Sequence, residues 1–206
     1  MAYLFLDSSY DITLGLLSSG LEWLEFEKFE GQKASRVLQL ESYNFLSKHN
    51  VDPKDLEGII SIAGPGFYTG LRVSEGFGDL FQFFNIPAYR FYSFEIPSFC
   101  GVREGQWFTK AYRGEYFLAE WSHGVLKQSN IPVADLELTL KDIKKLYIHS
   151  ESSLDESSLK WIKESVSTQD LLKVQPHMIF SQVIAAKLNR DSFYFRAPED
   201  EFKMNP

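Results

Sequence analysis

The chain has 206 residues, 44% of them hydrophobic and 16% aromatic, which is enough to bury a core as one compact domain or two small packed lobes and excludes a disordered linker. A formal charge of -7 provides no general field for a phosphate backbone or an anionic lipid surface, so any RNA is expected to be held by something else. The single cysteine, Cys100, excludes an intrachain disulfide and a cysteine-based zinc cluster made from this chain alone, and fits a reducing compartment.

The N-terminal stretch MAYLFLDSSYD lacks a basic flank and reaches Asp7 after a few apolar residues, so it reads as neither signal peptide nor membrane span, and a cytoplasmic protein is expected. Ala2 to Leu6 and Ile12 to Leu17 are short apolar runs suited to strands. Ser19-Gly20 is a turn, and the alternation through Leu21 to Phe29 predicts a third strand with one wet face. Apolar residues at helical spacing predict a helix over Ala34 to Asn50, closed by Val51-Asp52-Pro53. A turn over Asp52 to Asp55 leads to the continuous apolar run Leu56 to Ala63, read as a buried strand. A glycine loop and a second helix over roughly Gly70 to Phe84 follow, stopped by Asn85-Ile86-Pro87.

Ala88 to Phe94 is another strand, broken at Ile96-Pro97-Ser98. The polar, glycine-bearing stretch Gly101 to Gln106 places a boundary between a first lobe, 1–100, and a second, shortened lobe, 101–206. Trp107 to Trp121 predicts a hairpin turning at Tyr112 to Glu115, with Val125 to Ile131 as an edge strand. Asp135 to Lys145 is a short helix, Leu146 to His149 a strand, and Ser150 to Ser158 a polar surface loop. Met178 to Leu188 is a helix of the second lobe, Ser192 to Arg196 a last strand, and a tail begins at Pro198.

Gly64-Pro65-Gly66-Phe67-Tyr68-Thr69-Gly70 lies between a buried strand and a helix, where glycines permit close backbone approach and helix amides face an anion. A P-loop needs a lysine and a hydroxyl residue after its last glycine, and Leu71-Arg72 stand there instead; Thr69 occupies the place of the third glycine of a dinucleotide fingerprint. The other reading is a tight strand-to-helix turn with Thr69 as N-cap. On the following helix Val73, Phe77, Leu80, Phe81 and Phe84 form an apolar stripe, with Ser74 and Gly78 as two small residues four apart; this suits either a partner helix or the chain's own core.

His49, His123, His149 and His177 lie far apart with no pair at helical ligand spacing, and no nucleophile elbow is present, so neither a local metal site nor a metalloprotease pattern is found. Asp7, at the end of the first strand, is either a catalytic or magnesium-associated carboxylate or an Asx-turn residue with Ser8 and Ser9.

Four segments, taken together, resemble the TsaB (YeaZ-like) family of actin-like, sugar-kinase-like proteins. They are the turn Asp7-Ser8-Ser9, the loop Gly64 to Arg72 (similar to the family's Gly-Pro-Gly-Ser-Phe-Thr-Gly-Leu-Arg), Asn85-Ile86-Pro87 followed by Ser93, and Phe193-Tyr194-Phe195-Arg196. The loop is the specific one, and the match covers most of the first lobe and little of the second. The resemblance implies a two-lobed, actin-like (ribonuclease H-like) α/β fold with mixed sheets flanked by helices. It also implies a non-catalytic role in tRNA modification, beside a TsaD-type catalytic subunit and a TsaE-type ATPase. Their complex forms threonylcarbamoyladenosine next to the anticodon of tRNAs reading codons that begin with A. On this reading the chain binds no cofactor alone, ATP and a metal belong to the partner subunits, and tRNA is met only through the complex.

Family members dimerise through first-lobe helices, so the resemblance makes Ser74, Phe77, Gly78 and Phe81 the expected partner-binding face and a homodimer an expectation for the isolated chain. Gly64, Pro65, Gly66, Thr69, Gly70 and Arg72 become a loop with a nucleotide or interface role, and Asp7, Ser8 and Ser9 a vestigial phosphate turn. Two departures weaken nucleotide chemistry further: Lys33 stands where the family often has His, and Lys110-Ala111-Tyr112 where it often has Asp-Ala-Arg. The competing expectation is a nucleotide-dependent actin-like kinase or ATPase using Asp7 and the Gly64 to Gly70 loop.

Overall fold

The opening sequence alternates so that Leu4 and Leu6 face one side of a strand and Phe5 the other, and all three are fully buried. A strand buried on both faces needs a layer on each side, and the computed structural model, which describes residues 2–29, 31, 34–111 and 114–195, supplies both. Lys33, Tyr112 and Arg196, singled out in the sequence, lie outside the described residues.

The chain divides into two compact units, one made of Met1–Tyr92 with the chain from Pro176 onward, the other of Ser93–Gln175. The first begins with strands β1 (Ala2–Asp7), β2 (Ile12–Ser18) and β3 (Trp23–Phe29), then helix α1 (Ala34–Lys48), β4 (Leu56–Ile62), helix α2 (Tyr68–Phe83) and β5 (Ala88–Phe91). Its sheet has the order β3-β2-β1-β4-β5, antiparallel among β1 to β3 and parallel from β1 through β4 to β5. The expected three-stranded opening meander is thus present, extended by two parallel crossovers.

Leu4, Leu6, Leu14, Leu16 and Ile59 form one core with Leu38 and Phe45 of α1 and Phe77 and Phe81 of α2. On the opposite face Phe5, Trp23 and Phe91 pack around Phe180, with ring centroids 5.6, 5.5 and 6.2 Å from it. The Trp23 indole lies so close over β2 that a Cβ on Gly15 would stand 2.2 Å from it, which fixes glycine there.

The second unit contains α3 (Ile96–Phe99), β6 (Glu104–Lys110), β7 (Glu115–Ser122), β8 (Val125–Pro132), α4 (Leu136–Leu140), β9 (Leu146–Ile148), α5 (Glu156–Leu159), β10 (Ser165–Ser167) and α6 (Thr168–Val174). The sheet order is β10-β9-β6-β7-β8, so β8 is an edge strand as its sequence predicts. Phe108, Tyr116, Leu118, Leu146 and Ile148 pack beneath Leu136 and Leu140 of α4. Phe94, Trp107 and Phe117 form a separate ring cluster, Trp107 lying 6.3 and 6.1 Å from the other two.

Helix α7 (Pro176–Ala185) returns to the first unit and carries Phe180. This corrects the division at residue 100: the break falls after Tyr92, and the C-terminal helix expected in the second lobe covers the first sheet. A periodic apolar pattern reveals that a helix buries a face, not which sheet receives it. Three local expectations also change. The strand predicted over Ala88 to Phe94 already ends at Phe91, and the segment that breaks it, Ile96–Phe99, is a helical turn. Ser150–Ser158 is two capped turns rather than a loose loop: Ser150 with Ser153, and Asp155 with Ser158, each form a capping box, and Ser153 and Ser158 are buried. Ser192 to Phe195 makes one isolated bridge, Gly66 with Tyr194, instead of a strand.

The burial of α2 yields a first test. Replacing Phe77 by Ala is expected to remove about 3 kcal/mol of stability, the usual cost of emptying an aromatic core position, read as a lowered urea midpoint. Phe77→Asp is expected to unfold the first unit, so it does not serve as a clean interface probe.

Candidate functional site around the glycine loop

Asp7 ends β1 fully buried, and its Oδ1 accepts from the Ser9 backbone N–H at 2.9 Å and the Ser9 hydroxyl at 2.6 Å. This is the Asx-turn geometry expected of Asp-Ser-Ser, and it turns the chain sharply into β2. Ser8 and Ser9 are buried as well, and they form the surface on which the glycine loop rests.

The loop leaves β4 with the Ala63 N–H donating to the Phe91 carbonyl at 2.7 Å and the Ala63 carbonyl accepting from the Phe193 N–H at 2.8 Å. Gly64 has φ +113, a region open to glycine, and its peptide bond to Pro65 is cis. A Cβ on Gly64 would stand 2.5 Å from the Phe193 carbonyl oxygen; on Gly66 it would stand 2.6 Å from the Ser9 Cβ, and on Gly70 1.9 Å from the Ser8 carbonyl oxygen. The Ser8 hydroxyl donates back to the Gly70 carbonyl at 2.8 Å. All three glycines therefore exist for close approach, and what approaches is the chain's own backbone.

Two of the loop amides have the same fate. The Gly66 N–H donates to the Phe193 carbonyl at 3.3 Å and the Phe67 N–H to the Ser9 carbonyl at 3.0 Å. Two donors of the loop are thus spent within the fold rather than left open to an anion. The N-cap of α2 is Phe67, in extended conformation and without a side-chain cap, whereas Thr69 is exposed inside the first helical turn. This corrects the reading of Thr69 as the cap: the helix already starts at Tyr68, so Phe67 holds the cap position and Thr69 lies inside the first turn.

Phe67 is nearly half exposed and meets Tyr10 at 5.3 Å and Phe195 at 6.3 Å between ring centroids. Arg72 points outward, pairs with Glu75 at 3.0 Å and lies over the Tyr68 ring at 5.9 Å. Glu75 is the centre of a network that the sequence reading missed. Its other oxygen receives Arg90 Nη1 at 3.2 Å, Arg90 Nη2 donates to the Ser192 hydroxyl at 2.6 Å, and the Tyr194 hydroxyl donates to Glu75 at 3.3 Å. Backbone bonds from Arg90 N–H to the Leu188 carbonyl (2.9 Å) and from Arg190 N–H to the Arg90 carbonyl (3.1 Å) continue the seam. Residues 188–195 thus run as a strap along β5 and onto the glycine loop. The available signal was Arg90, one cation inside an otherwise apolar and aromatic strand run.

Burial pushes the Glu75 carboxyl up, but the hydrogen bond from Arg72 and the charge of Arg90 outweigh it and hold the group below its ordinary value of 4.5. On the same helix Ser74 and Gly78 are buried, as are Phe77 and Phe81, so the expected partner-binding face is the core-facing one. The exposed apolar residues are Leu80, Phe83 and Phe84 on and just after α2 and Leu40 and Tyr43 on α1, with Phe83 four-fifths exposed. Gly76 faces outward with open space around its missing Cβ. Among the described residues no group of three His, Cys, Asp or Glu is placed to hold a metal ion, and no helix is long and apolar enough to cross a membrane.

Two glycines on one helix give a matched test. Gly70→Ala drives a methyl into the Ser8 backbone and is expected to destabilise by about 3 kcal/mol or more, whereas Gly76→Ala meets nothing and gains about 1 kcal/mol of helix propensity; chemical denaturation of both variants reads the difference. For Glu75, a folded pKa below the unfolded one means that its stabilisation is complete above the unfolded value and is lost as pH falls through the folded value. Acid titration below pH 4.5 is expected to loosen the strap, read as faster amide exchange at Gly66 and Tyr194, and Glu75→Gln removes that pH dependence.

No family model and no curated protein matches the sequence. Solved structures do match. A protein of Pseudomonas aeruginosa described as uncharacterized with similarity to peptidase YEAZ has a TM-score of 0.63 at 16% identity, covering 95% of this chain and 99% of its own. YeaZ from Pseudomonas aeruginosa has a TM-score of 0.58 at 15% identity over 90% and 91% of the two chains. Ethanolamine utilization protein EutJ from Carboxydothermus hydrogenoformans reaches 0.50 at 12% identity over 87% and 89%. With nearly full coverage in both directions, the chain shares the α/β fold of the YeaZ-type structures, here with two five-stranded mixed sheets flanked by helices.

Proposed function

We propose that this chain is a cytoplasmic, non-catalytic partner subunit in the assembly that forms threonylcarbamoyladenosine beside the anticodon of tRNAs reading codons that begin with A. It binds and stabilises a TsaD-type catalytic subunit, with a TsaE-type ATPase completing the complex and tRNA engaged only through it. The observation that carries this reading is the glycine loop: its glycines and two of its amides serve contacts with Ser8, Ser9 and Phe193 rather than an open cradle. The fold shared with YeaZ and the loop motif support the same assignment.

The docking face in this proposal is the outer side of α1 and α2, not the buried side first expected. Leu40, Tyr43, Leu80, Phe83 and Phe84 are large apolar residues left in water, and burying them against another subunit supplies the driving force. Outward-facing Gly76 lets a neighbouring backbone come near. The same surface pairs two copies when the catalytic partner is absent.

Co-purification with a TsaD-type protein tests the partnership, and its failure in both native and reconstituted mixtures overturns it. Leu80→Asp with Phe83→Asp is expected to weaken that association by about 30-fold or more, as loss of an interface anchor does, while thermal unfolding of the variant stays near that of the parent. Calorimetry with magnesium-ATP addresses the competing enzyme reading at Asp7 and Gly64 to Gly70. Tight binding with turnover by the isolated chain replaces the non-catalytic assignment.

A further inference from the structure

The second sheet has a face divided into an apolar and a polar half. Strand register puts Gln106, Glu120 and Lys127 in one cross-strand row and Glu104, Ser122 and Val125 in another, both on the face that carries Phe108 and Leu118. Beneath α4 that face is a dry core. Beyond α4 it opens into a groove of about 630 Å³, with Lys144 and Lys145 at its rim. The volume falls within the range of small-ligand sites.

The polar groups of the groove are sorted. Gln106 Nε2 donates to Glu120 Oε1 at 3.0 Å, and the Ser122 hydroxyl, which also meets His123 Nδ1 at 2.8 Å, lies 3.4 Å from Glu104 Oε2; no cation neutralises either carboxylate among the described residues. Lys145 meets Glu164 at 3.6 Å, away from the groove lining. Among the described residues Lys127 and Lys144 have no ion-pair partner. Both lysines are exposed and line the groove together with the Glu104 and Glu120 carboxylates. Trp121, the aromatic residue of the lining, is buried with its ring over Gly105 and 5.8 Å from Tyr147, so it presents no open face for a nucleobase.

We infer that this groove binds a small phosphorylated sugar, the phosphate held by Lys127 and Lys144 and the hydroxyls by Glu104, Glu120 and Gln106. Lysine ammonium groups are point charges suited to a phosphate dianion, and carboxylates are strong acceptors for sugar hydroxyls. Few apolar walls are present, so the expected affinity is modest, in the range of about 1 mM or somewhat tighter. The inference goes beyond the partner-subunit reading and stands or falls separately from it, because the groove lies wholly within the second unit.

The test is a titration of the full chain, followed by amide chemical shifts, with ribose 5-phosphate and glucose 6-phosphate as probes. Inorganic phosphate, free ribose, free glucose and a short single-stranded RNA are the comparisons. The expected result is saturable change confined to residues 104–106, 120–127 and 144–145, with a sugar phosphate binding about tenfold or more tighter than phosphate or sugar alone. Lys127→Ala with Lys144→Ala, both exposed positions, should weaken it about tenfold or more while the unfolding midpoint is unchanged. Glu120→Gln should reduce the preference for sugar phosphate over inorganic phosphate. Equal binding of phosphate and sugar phosphate, no saturable change up to about 10 mM, or tighter, salt-sensitive binding of the RNA overturns the proposal.

Discussion

The contact on which the first unit depends is the seating of the glycine loop against the Asp7–Ser9 turn. Gly66 and Gly70 bring the loop and the start of α2 within a Cβ radius of the Ser8 and Ser9 backbone, and Asp7 holds that backbone in place by bonding Ser9 twice. Such a junction tolerates no added carbon on either glycine. It fixes where α2 begins, and so which of its side chains enter the core. Phosphate-binding loops use glycine for the same physical reason, close backbone approach, but here the approaching partner is protein.

From that starting point α2 has two apolar faces with different fates. Phe77 and Phe81 close the core above the sheet, while Leu80, Phe83 and Phe84 remain in water. The second, exposed apolar face of that helix is the surface on which the proposed docking rests. The strap from Leu188 to Phe195 secures the other side of the junction, since the Phe193 carbonyl occupies a loop amide and Arg90 and Tyr194 converge on Glu75. Loop, helix and strap thereby form one rigidly specified corner.

The second unit follows a different economy. Its core lies under α4, and the rest of the same sheet face carries charged and amide side chains in register. A sheet face that is apolar under its helix and ordered but polar beyond it has a boundary at which a small solute can settle. The Ser150–Ser158 segment, polar in composition, is also structural. Asp155 caps α5, accepts from the Tyr116 hydroxyl at 2.6 Å and pairs with Lys110 at 2.6 Å.

Sequence alone determined most elements of both sheets, because apolar period, turn residues and Pro or Gly breaks are local signals. The three-strand opening, both long helices, the buried strand before the loop and the edge position of β8 all follow from such signals. It also located the loop as the distinctive segment and offered the Asx turn at Asp7 as one of two readings. Tertiary structure decided everything that depends on contacts between distant residues. The helix at Pro176–Ala185 joins the first sheet because Phe180 fits among Phe5, Trp23 and Phe91, a fit that no local pattern encodes. Which face of α2 is buried was ambiguous for the same reason: its phenylalanines and leucine cover more than one side, and the rotation of the helix is set by the seating of Gly66 and Gly70 on Ser8 and Ser9. The glycines announced a close approach in the sequence; only the fold revealed that the chain itself fills the space.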